Sequence, residues 1–147
     1  MKVTKNNEEL DKSKYTLKKG YAEIFESKED GLRIDCNNNC KIDCGDNCKI
    51  YCFDNCKIVC ENNCEIDCGN DCQIYCFDNC KIDCLDDCRI ICLDTCKIWC
   101  WNGCKICCGS NCQINYFCYF CKDKLIEYKS KKPIRLLCKD GKIEELK

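Results

Sequence analysis

Cysteine is the residue type here with the most chemistry to offer, since its thiolate is a nucleophile, a disulfide former and a ligand for soft metals. The chain has 24 cysteines in 147 residues and no histidine. Twenty of them fall on every fourth position without a gap: Cys36, Cys40, Cys44, Cys48, Cys52, Cys56, Cys60, Cys64, Cys68, Cys72, Cys76, Cys80, Cys84, Cys88, Cys92, Cys96, Cys100, Cys104, Cys108 and Cys112. Cys107, Cys118, Cys121 and Cys138 stand outside that spacing. Such a regular set acts together, and three outcomes are open to it. Neighbouring thiolates could hold several iron-sulfur clusters or soft ions such as Zn or Cu(I), for electron transfer or metal storage. Pairs could instead close as a disulfide ladder, or pack as small apolar thiols with no metal, giving a structural or assembly scaffold. Conventional catalysis has no support, because a nucleophile motif, a histidine base and a phosphate loop are all missing. We read the chain as not an enzyme.

The spacing of four belongs to a longer unit. Written as octads the array reads Cys-Lys-Ile-x-Cys-x-Asp-Asn, with Ile third from Ile42 to Ile106 and again at Ile34 and Ile114. A helix does not suit it: a period of four drifts about 40° per repeat from the 3.6-residue turn, and Asp-Asn clusters every eight residues are turn signals. A strand does, because Cys, Ile and Cys at positions 1, 3 and 5 then point one way and positions 2 and 4 the other. Each octad is one short strand and one turn. The fold class expected is all-β, a parallel β-solenoid with an inward ladder of Ile and Cys. The two cysteines of neighbouring octads bracket each turn, so they face one another at an edge of the lumen.

Gly45-Asp46-Asn47-Cys48-Lys49-Ile50-Tyr51-Cys52 resembles the octapeptide arrays of bacterial ice nucleation proteins, whose units look like Ala-Gly-Asp-x-Ser-Thr-Leu-Thr. Cys stands for the small Ser and Ala, and Ile for Leu. The resemblance covers the array alone and implies two octads per sixteen-residue coil, hence about five coils. It does not bring ice binding with it: the outward Thr pairs of that family are replaced here by Lys with Asp, Tyr, Val, Ile or Trp, and the array's single Thr is Thr95.

A second periodicity competes with sixteen. Tyr51, Tyr75 and Trp99 recur at a lag of 24, as do Phe53, Phe77 and Trp101, which on a three-sided coil would stack as aromatic ladders. Duplication of three octads gives the same pattern, and sixteen is preferred over eight or 24. These six aromatics are the candidate face for a partner or for self-association. Asp and Asn at position 7, among them Asp46, Asp54, Asp78, Asp86 and Asp94, fit turns better than a calcium edge.

Residues 1–31 are expected to form a leader and N-terminal cap around Tyr21, Ala22, Ile24 and Phe25, residues 32–115 the solenoid, and residues 116–147 a C-terminal cap with strands at KLIEYK and PIRLLCKDGKIEELK and a turn at Asp140-Gly141. Basic and acidic residues nearly cancel, at 24 and 25, which argues against nucleic acid and membrane as partners and leaves a redox or assembly partner open. The first residues have no apolar core of a signal peptide, so a cytoplasmic, reducing location is expected, where thiolate-metal chemistry is the default for cysteine.

Overall fold

A computed structural model describes residues 1–20, 22–118, 124–129, 134–139 and 142–145. Tyr21, Tyr119, Phe120, Cys121 and the Asp140-Gly141 turn lie outside the described residues. Each octad supplies one four-residue strand: β6 (Lys41–Cys44), β7 (Lys49–Cys52), β8 (Lys57–Cys60), β9 (Glu65–Cys68), β10 (Gln73–Cys76), β11 (Lys81–Cys84), β12 (Arg89–Cys92), β13 (Lys97–Cys100) and β14 (Lys105–Cys108). Within each, Ile and the final Cys are buried while the residues between them face out. Ile suits this position because a β-branched side chain packs well on a pleated surface.

Successive strands do not pair with each other. β7 pairs in parallel with β9, and β6 with β8, so that Ile50 stacks on Ile66 and Cys44 on Cys60. The coil is therefore sixteen residues with two flat sides, odd-numbered octads in one sheet and even-numbered in the other. A lag of 24 carries a residue to the opposite sheet: Tyr51 and Trp99 lie on β7 and β13 of one sheet, Tyr75 on β10 of the other. No three-sided aromatic ladder forms, and the pattern is one of sequence only. The six aromatics do not share one face.

The solenoid makes about six turns. The extra turn comes from the N-terminal region, where β4 (Ile24–Glu26) already runs parallel to β6 and β5 (Leu32–Asp35) parallel to β7, ahead of the boundary at residue 32. In that first coil Phe25 takes the place of an Ile, in register with Ile42. Both ends are closed by a change of direction. At the start, β1 (Lys2–Lys5) runs antiparallel to β5 and to β2 (Glu8–Glu9), and β3 (Thr16–Lys18) antiparallel to β4. At the end, β15 (Gln113–Cys118) is followed by antiparallel β16 (Lys124–Lys129), while β17 (Ile134–Lys139) and β18 (Lys142–Glu145) complete the other sheet. Antiparallel strands at each end cover the parallel edges of the first and last coils with short strands.

Two edges of turns join the sheets, and one device builds both. The eighth residue of the octad adopts left-handed backbone, with φ of 55° to 60° from Asn39 through Asn111 at the Asn and Asp positions and 78° at Gly103. Asn and Asp tolerate this conformation because their short polar side chains bond locally. The seventh residue turns its side chain along the solenoid axis: Oδ1 of Asp54 accepts the N–H of Asn70 at 2.6 Å, and Oδ1 of Asn70 accepts that of Asp86 at 3.0 Å. On this edge, the Asn38 edge, the ladder runs Asn38, Asp54, Asn70, Asp86, Asn102. On the opposite edge it runs Asp30, Asp46, Asn62, Asp78. The carboxylates of Asp30, Asp46, Asp54 and Asp86 thus serve as acceptors for backbone donors.

Candidate metal centre

The lumen between the sheets is built from two side-chain types, Ile along the middle of each strand and Cys beside each turn, and the twenty array cysteines are all buried. The pairs that bracket each turn stack in two columns. Cys36/Cys40, Cys52/Cys56, Cys68/Cys72, Cys84/Cys88 and Cys100/Cys104 line the Asn38 edge, and Cys44/Cys48, Cys60/Cys64, Cys76/Cys80, Cys92/Cys96 and Cys108/Cys112 the other. All are free thiols in this structure. Cys107 sits on the outward side of β14, half exposed and away from the columns. Only the backbone of Cys118 and Cys138 is described.

Within the columns five groups of three sulfurs have every Sγ within 4.8 Å of the others: Cys36/Cys52/Cys56, Cys52/Cys68/Cys72 and Cys84/Cys88/Cys104 on the Asn38 edge, and Cys60/Cys64/Cys80 and Cys76/Cys92/Cys96 opposite. Each joins a turn pair to one sulfur of a neighbouring coil. Cys40, Cys44, Cys48, Cys108 and Cys112 belong to none of the five, and Cys100 stacks in register between Cys84 and Tyr116.

The two cysteine positions of the octad are not equivalent. The thiol at position 1 donates to the backbone carbonyl of the turn one coil earlier: Cys56 to Asn37 at 3.2 Å, Cys72 to Phe53 at 3.2 Å, Cys80 to Glu61 at 3.2 Å, Cys88 to Gly69 at 3.2 Å and Cys104 to Leu85 at 3.0 Å. These bonds give the turn carbonyls a donor from the lumen side, each worth about 0.5–1.5 kcal/mol. The sequence pattern makes the two positions look alike, and no feature of the octad reveals this difference before the turns are closed.

Proton affinities are pooled within the groups. Cys36 is raised by its bond to Cys52, then by Cys56 and by burial. Cys72 is held down to about 4 by the S–H groups of Cys52, then Cys56 and Cys68, which solvate its anion. Since Cys72 also donates to the Phe53 carbonyl, which a thiolate could not do, the easily lost proton belongs to the group rather than to one sulfur. A thiolate solvated by thiols in a cavity without histidine is a ligand set for soft, thiophilic ions.

The outward aromatics are partly covered by cations. The Arg33 guanidinium lies 4.3 Å from the ring centre of Tyr51, and the Lys57 ammonium 5.6 Å from that of Tyr75. Such contacts account for rings on the outer sheets by cross-strand packing. Phe53 at one edge and Phe77 at the other are exposed. No helix among the described residues is long and apolar enough to cross a membrane. No family model, curated protein or solved structure matches the chain.

Proposed function

We propose that this chain is a metal-thiolate protein that stores soft metal ions of the Cu(I) class along its two cysteine columns, in a reducing compartment such as the cytoplasm. The observation that carries this reading is the set of five three-sulfur groups. Three sulfurs at about 2.3 Å from a trigonal ion are about 4.0 Å apart, inside the span those groups offer. A tetrahedral Zn site or a four-iron cluster asks for four thiolates, and each group here supplies three. The lumen supports a small ion in a second way. Its middle is filled by buried Ile side chains, which sets the sulfurs apart in narrow columns at the two edges.

The carbonyl bonds of the position-1 thiols favour a second reading, in which those cysteines are structural donors and the array is a packed-thiol scaffold for an assembly role. Anaerobic titration separates the two. Under the storage reading, Cu(I) binds at several equivalents per chain with sulfur-to-metal charge-transfer absorption, and chelation removes it without unfolding the coil. A chain that stays colourless, binds no Cu(I) or Zn, and melts at the same temperature with or without them is a scaffold.

A further inference from the structure

The five groups are not all separate. Cys52 belongs to two of them, Cys36/Cys52/Cys56 and Cys52/Cys68/Cys72. The other three share no sulfur with any group. Five sulfurs drawn from three successive coils therefore form one continuous set, with Cys52 at its centre and a three-sulfur site on each side. A surface cleft lies beside this set. A cleft of about 600 Å³ is lined by Asp35, Cys36, Asn37, Tyr51, Cys52 and Phe53 among others. Cys52 and Cys36 keep 8% and 6% of their surface exposed, against 0% for Cys84 and Cys60 deeper in the columns. Asp35 and Asp67 bring carboxylates to this mouth and Lys2 an ammonium, while Cys56, Cys68 and Cys72 complete the two groups that meet at Cys52.

We infer that Cys36, Cys52, Cys56, Cys68 and Cys72 form a two-ion site for a soft monovalent ion, Cu(I) or Ag(I), in which the sulfur of Cys52 bridges both ions and the cleft beside it is where ions enter. The inference rests on the storage reading above and specifies its first site. Each ion replaces one proton on sulfur: one S–H bond breaks, the thiolate so formed binds the ion, the other sulfurs around it donate lone pairs and keep their S–H bonds, the proton leaves to solvent and no electron is transferred. The charge balance suits a monovalent ion. The buried polar side chains among the described residues are Thr4, Ser27 and Asn115, and the buried N-terminal ammonium is already neutralised by Glu23 at 2.9 Å, so no unpaired buried cation among them offsets extra thiolates. One proton exchanged for one monovalent ion keeps the site neutral, whereas uncompensated charge in a closed apolar lumen is costly. Sharing Cys52 between two ions lets five sulfurs complete two three-coordinate sites that would otherwise need six.

The test is a Cu(I) titration of the full chain under argon, read by metal analysis and by alkylation mapping with mass spectrometry. Cys52→Ser is expected to lose about two equivalents, whereas Cys36→Ser and Cys60→Ser each lose about one. At low Cu(I) loading of the unmodified chain, Cys36, Cys52, Cys56, Cys68 and Cys72 should be the first cysteines protected, and X-ray absorption should show a metal–metal vector. That last measurement needs no variant and stands even if Cys52→Ser unfolds. Equal losses for Cys52→Ser and Cys36→Ser, protection that begins in another group, or absorption spectra without a metal–metal vector would overturn the bridged site and leave storage standing. A chain that takes up no Cu(I) overturns the storage reading, and the bridged site with it.

Discussion

The two edges of the solenoid are made from the same octad, yet one is continuous and the other is interrupted. Along the Asn38 edge each side chain from Asn38 to Asp86 accepts the backbone N–H of the next coil, and the ladder ends on the Tyr116 hydroxyl, which donates to Oδ1 of Asn102 at 3.0 Å. Along the Asp30 edge the same bonds reach Asp78, and none is recorded among the described residues from there to Asp94 or Ser110. The cause is a single residue. Thr95 occupies the eighth position, where every other octad places Asn, Asp or Gly at positive φ, and Thr95 is not in that region. A β-branched residue pays heavily for left-handed backbone. The turn therefore takes another path, its Leu93 carbonyl lying where a Cβ on Gly109 of the next coil would stand and Asp94 supplying the carbonyl that Cys112 bonds at 3.1 Å. Edge continuity depends on one backbone angle per turn, and cysteine spacing survives its loss.

Substitutions at the tightest approaches should separate the edges most. Gly109→Ala places a Cβ into the Leu93 carbonyl, a backbone atom that cannot swing away, so a loss of about 3 kcal/mol or more is expected in denaturant unfolding. Gly69→Ala on the continuous edge meets the Asp54 carboxylate instead, which can rotate at the expense of its bond to Asn70, and should cost less. If Gly69→Ala proves the more damaging, the interrupted edge is not the tighter one.

Exchanging the eighth residues tests the cause directly. Asn55→Thr imports the interruption into the continuous edge and should lose about 1–3 kcal/mol, through strain or through the Asn55 N–H to Asn70 carbonyl bond of 2.9 Å. Tyr116→Phe removes only the last bond of the ladder and should lose about 1 kcal/mol. Thr95→Asn should gain about 0.5–1 kcal/mol by allowing the left-handed turn, and hydrogen exchange should show the Asp94 and Ser110 amides newly protected. No gain would mean that the interruption is held by the packing of Gly109 rather than by Thr95.

The smallest effect belongs to the outer charges, which serve both edges alike. Glu65 stands between Lys49 and Lys81, at 2.9 and 3.1 Å, and separates like charges that would otherwise stack one strand apart. Its carboxyl is held below the usual range by Lys49 and then Lys81. A group depressed in the folded state stabilises above its unfolded value, and that contribution fades as pH falls through the folded one. The site is open to solvent, so Glu65→Gln should cost less than about 0.5 kcal/mol at neutral pH, and the difference from the unmodified chain should vanish once acid has protonated Glu65 in the folded state.

Much of this was legible before any coordinates. The octad with Ile at its third position dictated a strand whose period-two pleat buries Cys, Ile and Cys together, and Asp-Asn dictated the turn, because local backbone preference and side-chain alternation are properties of a few adjacent residues. Tyr116 was not legible in this way: it occupies the register position of a cysteine, in line with Cys100, and closes the column with a buried ring. The aromatic lag of 24 misled in the other direction, since a repeat in sequence becomes a ladder in space only when it is a multiple of the coil.

Which residues meet across coils was decided by the tertiary structure. Spacing alone makes the twenty cysteines equivalent, and only the stacking of sixteen-residue coils separates thiols that cap turn carbonyls from those that do not, and makes Cys52 the sulfur common to two groups. The physical reason is distance along the chain. Strand and turn follow from neighbours within eight residues, whereas a three-sulfur group, a ladder bond from Asp54 to Asn70 and the contact of Leu93 with Gly109 each join residues sixteen or more apart, whose meeting depends on how the whole coil closes.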